Sequence, residues 1–103
     1  MNPLAPVLQQ EAQALLNTAK QLRPDQAEAA LDCLQRCSEQ GAKLVVTGVG
    51  KSGIVARKIA ATFTSIGLMA IYLNPLDALH GDLGVVGSDD VVFLLSNSGE
   101  SPE

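Results

Sequence analysis

Aromatic side chains are nearly missing from this chain. Phe63, Tyr72 and Phe93 are the whole set, and there is no tryptophan. A core must therefore be assembled from Ala, Val, Leu and Ile. Cysteine is equally scarce: Cys33 and Cys37, four apart, are too few for the disulfide framework of a small secreted fold. Their spacing is one helical turn, which suits a helix carrying reduced thiols; metal ligation would need two further residues. No apolar run approaches the roughly 18 residues needed to span a membrane. The opening Met-Asn-Pro-Leu-Ala-Pro has neither a basic region nor an apolar signal core, which argues against export and for the cytoplasm. Positive charge is short as well. Seven Lys and Arg stand against eleven Asp and Glu, and the net charge of −4 is divided evenly between residues 1–41 and 42–103. That argues against a nucleic-acid backbone or an anionic membrane as partner. What is present is apolar: 47% of 103 residues, against 17% charged, which excludes a disordered tail and allows at most one domain.

Two parts are distinguishable. Over residues 1–41, Leu4, Val7, Leu8, Ala12, Leu15, Leu16, Ala19 and Leu22 recur at three- and four-residue steps, which predicts a helix. Arg23-Pro24-Asp25 interrupts that stripe, and Pro24 suits the first turn of a second helix. That helix carries Ala27, Ala30, Leu31, Leu34 and Cys37 on one face and ends at Gly41. Each stripe is narrow and needs a sheet or partner helices to cover it.

Residues 42–103 alternate strand and helix signals. Lys43 to Thr47, Met69 to Leu73 and Val91 to Leu95 read as strands. Their unbroken apolar character predicts burial on both faces. A helix is expected over 52–66, with Val55, Ile59, Thr62, Phe63 and Ile66 on its inner face, ended by Gly67. Asn74-Pro75 opens a short helical turn, with Asn74 as cap, and Gly81 closes it. Strand–helix–strand–turn–strand is the start of a doubly wound parallel sheet. Such a sheet usually carries about five strands and needs more residues than remain here. Three strands, followed by a helix start at Ser101-Pro102, predict a domain cut at its first half.

Three loops follow the strands. Gly48-Val49-Gly50-Lys51-Ser52-Gly53 fits the dinucleotide spacing G-x-G-x-x-G. The acidic residue expected at the end of the second strand is absent, since Leu73-Asn74-Pro75 stands there. A nucleotide P-loop would need glycine at Val45 and fails. What survives is an anion site at a helix N-terminus, with backbone N–H groups, the helix dipole, Ser52 and Lys51 available to a phosphate. A tight turn that merely packs helix on strand would have the same sequence. Ser96-Asn97-Ser98-Gly99-Glu100-Ser101 follows the third strand and crowds three hydroxyls and an amide into six residues. Open α/β sheets bind ligands at such strand ends, and strands one and three would be neighbours. Leu79-His80-Gly81-Asp82-Leu83-Gly84 holds the single histidine, suited either to proton transfer or to capping a helix end.

Together the stretches 48–53, 80–84 and 96–101 resemble the sugar isomerase (SIS) domain. Within it they are similar to the D-arabinose 5-phosphate isomerases of Gram-negative bacteria, the KpsF/GutQ type. The resemblance is close over about residues 43–103. It implies a flavodoxin-like parallel sheet of five strands, here truncated to about three and preceded by two helices. Residues 1–41 would be the helical segment and 42–103 the first half of the α/β domain, without the paired CBS domains that usually follow.

The reaction implied is aldose–ketose isomerisation of arabinose 5-phosphate to ribulose 5-phosphate, feeding Kdo and lipopolysaccharide synthesis. The partners implied are a phosphorylated sugar and further copies of the chain, in a tetramer, with no organic cofactor. By resemblance, Gly50, Ser52, Ser96, Asn97, Ser98 and Ser101 bind substrate. Lys51 acts at the sugar, Glu103 is the candidate general base, and His80 lies in the site and sometimes holds an inhibitory zinc. Pro102 stands where a small polar residue is more usual. The alternative is a non-catalytic SIS module that senses a phosphosugar. Such regulators carry a DNA-binding helix-turn-helix ahead of the module, and Lys20, Arg23 and Arg36 are the sole basic residues in the first 41.

Overall fold

A computed structural model describes residues 2–97 of the chain. Contacts divide it into two units, one ending at Leu31 and the other beginning at Asp32, inside the second helix. In the first unit α1 runs over Leu4–Gln21 and buries no residue. Its apolar stripe forms as the period requires but is open to solvent, with Leu15 73% exposed. Leu22 leaves the helix in an extended conformation, and Pro24 starts α2, Pro24–Glu39, as its ring favours. The C-terminal part of α2 belongs to the second unit, where Cys37 is buried and Leu34 packs on the core. Gly41 then turns the chain at φ +67°.

The second unit is a three-stranded parallel sheet in the order β2-β1-β3, made of β1 (Leu44–Gly48), β2 (Ala70–Leu73) and β3 (Val91–Leu95). Helix α3, Lys51–Ser65, links β1 to β2. Between β2 and β3 lie α4, Pro75–Leu79, and a 3-10 turn over Asp82–Val85. Asn74 caps α4 by accepting from the Leu76 N–H at 2.9 Å, with Pro75 at the first helical position. Every residue of β1 is buried, as its apolar run predicts.

Two expectations need correction. β3 is not buried on both faces: Val92, Phe93 and Leu94 are exposed because, among the described residues, α3 covers β1 and β2 and barely reaches β3. The inner face of α3 is Gly53, Ala56 and Ala60, while Val55 and Ile66 are exposed and Ile59 and Phe63 flank the contact. Small residues at the seam let α3 lie close on Leu44 and Val46, whose burial stabilises the unit by about 1.5–3 kcal/mol each.

At the amino ends of the strands Lys43 and Asp90 tie β1 to β3. The Lys43 ammonium donates to Asp90 Oδ2 at 2.5 Å, the Lys43 N–H to Oδ1 at 2.9 Å, and the Gly87 N–H to Oδ2 at 2.6 Å. These donors, the Lys43 ammonium foremost, hold the Asp90 carboxyl at about 2 instead of 3.8, against the opposing effect of desolvation. The clamp sets Leu44 opposite Val91, and four residues on it sets Gly48 opposite Leu95. The two ligand-suited loops therefore leave the sheet side by side.

A carboxyl lowered in the folded state adds stability above its unfolded pKa and loses it as pH falls through the folded one. Acid titration of the melting temperature is expected to show a decline that begins below about pH 5 and continues towards pH 2. Asp90→Asn is expected to lower the melting temperature at pH 7, with the gap to the parent closing across that window. A gap independent of pH would rule out the ionised pair as its cause.

Candidate functional site

The turn Gly48–Gly53 has one workable backbone path. Gly50 sits at φ +63°, ψ −128°, a region open to glycine and strained for other residues. Gly48 and Gly53 are small for another reason. A Cβ on Gly48 would meet the Ser52 carbonyl group at 2.9 Å, and one on Gly53 would meet the Gly48 carbonyl oxygen at 2.7 Å. The chain folds back on itself so tightly that side chains have no room. Gly50 then takes the N-cap position of α3 and its carbonyl accepts from the Gly53 and Ile54 N–H groups.

The α3 terminus is built for negative charge. No side chain caps it among the described residues, and its first turn carries no acid. Lys51 opens the helix at the positive end of the dipole, where a cation weakens the helix and attracts an anion. Neither of the ion pairs among the described residues uses Lys51.

A cavity of about 650 Å³ opens at the carboxyl ends of the strands. Its polar end is formed by Thr47, Gly48, Ser52, Ser96 and Asn97, and its apolar wall includes Leu79, Leu83, Val86 and Leu94. Thr47 donates its hydroxyl to the Leu73 carbonyl at 2.5 Å, tying β1 to the end of β2 beneath the cavity.

The structure thus brings together Ser52, Ser96 and Asn97 from two loops 44 residues apart in the chain. Gly50 and Lys51 stand at the exposed rim, beside Ser52 but outside the cavity lining. His80 is exposed, and its backbone N–H caps α4 by donating to the Asp77 carbonyl at 3.0 Å, while Leu79 lines the cavity wall. Ser98, Ser101 and Glu103 lie outside the described residues. Among the described residues no three His, Cys, Asp or Glu side chains gather as metal ligands. Thr47 is a cavity residue outside all three loops, and Leu83 lies in the 80–84 stretch without a role assigned to it from sequence. An apolar run conceals a threonine's inward hydroxyl, and only the strand register reveals it.

The family model of the SIS domain matches residues 38–103, more than half the chain. The chain belongs to the SIS-domain family. It is 38% identical over 96 residues to arabinose 5-phosphate isomerase KpsF of Escherichia coli O6:H1, covering 93% of this chain and 28% of that protein. Among solved structures, a Bacteroides fragilis protein proposed to be a phosphosugar isomerase involved in capsule formation superimposes with a TM-score of 0.87. It is 39% identical, with 96% of this chain and 50% of that one covered. A protein of E. coli CFT073 in complex with A5P is 42% identical, with a TM-score of 0.71 and coverage of 98% and 55%. The chain spans between 19% and 30% of the length of the curated relatives it matches, and about half of those solved chains. No helix among the described residues is long and apolar enough to cross a membrane.

Proposed function

We propose that this SIS chain carries the phosphate-binding half of a cytoplasmic aldose–ketose isomerase that interconverts D-arabinose 5-phosphate and D-ribulose 5-phosphate for Kdo and lipopolysaccharide synthesis. One observation carries the reading. Ser52 from the turn after β1 and Ser96 and Asn97 from the segment after β3 line one cavity at the ends of neighbouring parallel strands, next to a helix N-terminus that no side chain caps. Family membership and the relative in complex with A5P support the choice of ligand.

In this reading the phosphate lies over the α3 N-terminus. Ser52, Ser96, Asn97, Ser98 and Ser101 surround it as donors, and the Gly50 backbone allows it to approach. The phosphate is a remote handle that fixes the sugar, so its binding serves the chemistry at the far end. Isomerisation moves a proton between adjacent carbons through an enediol. Glu103 takes the proton and returns it, His80 relays between the oxygens, and Lys51 faces the oxygen on which charge develops. The complete site is shared between copies of the chain in a tetramer.

Calorimetry on the 103-residue chain tests the handle. Ribulose 5-phosphate is expected to bind about 10- to 150-fold more tightly than ribulose, the worth of one charge-assisted hydrogen bond or more. Equal affinities would overturn the phosphosugar reading.

A further inference from the structure

Tyr72 is the lone tyrosine, in a strand otherwise made of aliphatic residues. It pairs with Val46 in the register and packs its half-buried ring on the α3 side of the sheet. The Arg57 guanidinium lies over that ring, 4.6 Å from its centre. Burial and stacking would be served equally by phenylalanine. The hydroxyl has a separate use: it donates to the Gly48 carbonyl at 3.2 Å. Gly48 is the last residue of β1 and the first of the glycine turn. A Cβ on Gly53 would come within 3.0 Å of the same hydroxyl and 2.7 Å of the same carbonyl. Three parts of the chain therefore meet at one point: the end of β1, the first turn of α3, and a side chain sent across from β2.

We propose that Tyr72 is a positioning residue for the anion loop. Its hydroxyl fixes the direction of the Gly48 carbonyl, and with it the path of Gly48–Gly53 and the aim of the α3 N-terminus. Arg57 holds the ring in place for that bond. The bond joins the base of the loop to the neighbouring strand, so the loop is set before any ligand arrives. The inference about ligand affinity rests on the phosphosugar reading; the inference about loop order does not.

A matched control exists in the same pair of elements. The Thr64 hydroxyl donates to the Ala70 carbonyl at 3.0 Å, joining α3 to β2 at the end away from the loop. Tyr72→Phe and Thr64→Val each delete one hydroxyl-to-carbonyl bond and keep the packing. Two readouts are taken on the full chain, at a temperature where circular dichroism shows both variants folded. The first is hydrogen exchange of the Gly53 and Ile54 amides, which bond to the Gly50 carbonyl. The second is the dissociation constant for arabinose 5-phosphate. Tyr72→Phe is expected to speed exchange about three- to tenfold and weaken binding by a similar factor, the scale of one neutral hydrogen bond. Thr64→Val is expected to change neither, and to lower the melting temperature only. Equal behaviour of the two variants in both readouts would overturn the positioning role. An unsubstituted chain that fails to bind arabinose 5-phosphate would defeat the phosphosugar reading instead, and the exchange comparison alone would then decide for or against Tyr72.

Discussion

Gly53→Ala is expected to collapse the loop and remove phosphosugar binding, although it adds a single methyl group. The residue is buried in the first turn of α3, and alanine is a better helix former than glycine. Local propensity therefore predicts a gain, and packing predicts the reverse. The added Cβ would stand 2.7 Å from the Gly48 carbonyl oxygen and 3.0 Å from the Tyr72 hydroxyl. The hydroxyl sits on a long side chain and can yield, but the carbonyl is backbone at the end of a fully buried strand. Overpacking of this kind costs about 1–3 kcal/mol, more than the propensity gain of up to about 1 kcal/mol. Relief requires moving α3 off β1, which opens the Ala56 and Ala60 seam as well.

Gly50→Ala is the companion. Nothing lies within 4 Å of its Cβ position, so it fails through the backbone, at φ +63°. Chemical denaturation with parallel arabinose 5-phosphate titration measures both effects. A Gly53→Ala chain as stable as the parent, with binding intact, would show that α3 does not seat on the loop as described.

These glycines mark the boundary of what the sequence discloses. The order of elements was legible because apolar runs, Asn74-Pro75 and Gly41 are local signals that local physics explains. The neighbouring of β1 and β3 followed from general topology. The inner face of α3 was misread because hydrophobicity ranks Val55 and Ile66 above Ala56 and Ala60, whereas a close helix–sheet seam selects for small size. The exposure of β3 was misread because its composition is that of a strand meant for cover on both faces. The Lys43–Asp90 clamp spans 47 residues and the Tyr72–Gly48 bond 24, and neither has a periodic signature. For the candidate site, spacing singled out Ser52, Ser96 and Asn97, which the cavity gathers. Leu79 lines that cavity and the adjacent His80 does not, a difference set by the exit angle of a five-residue helix and carried by no spacing in the sequence.

Lys51→Met is expected to discriminate among ligands by how much charge they place at the sugar end. Lysine at the first position of α3 opposes the helix dipole, so removing its charge is expected to raise stability slightly, by about 0.3–1 kcal/mol. A residue that costs stability where it stands is a candidate for work on a ligand. If that work is at the developing enediolate, three ligands separate. Inorganic phosphate, which reaches only the loop, is expected to lose least affinity. Arabinose 5-phosphate is expected to lose more. A hydroxamate analogue that carries the phosphate and a planar oxyanion in place of the aldehyde is expected to lose most, about 10- to 150-fold, the worth of one hydrogen bond to a charged group. If Lys51 serves only to neutralise phosphate, all three lose affinity by the same factor. Calorimetric titration of the three ligands into parent and Lys51→Met chains distinguishes these outcomes. A uniform loss would withdraw Lys51 from the chemistry and leave it as part of the phosphate site.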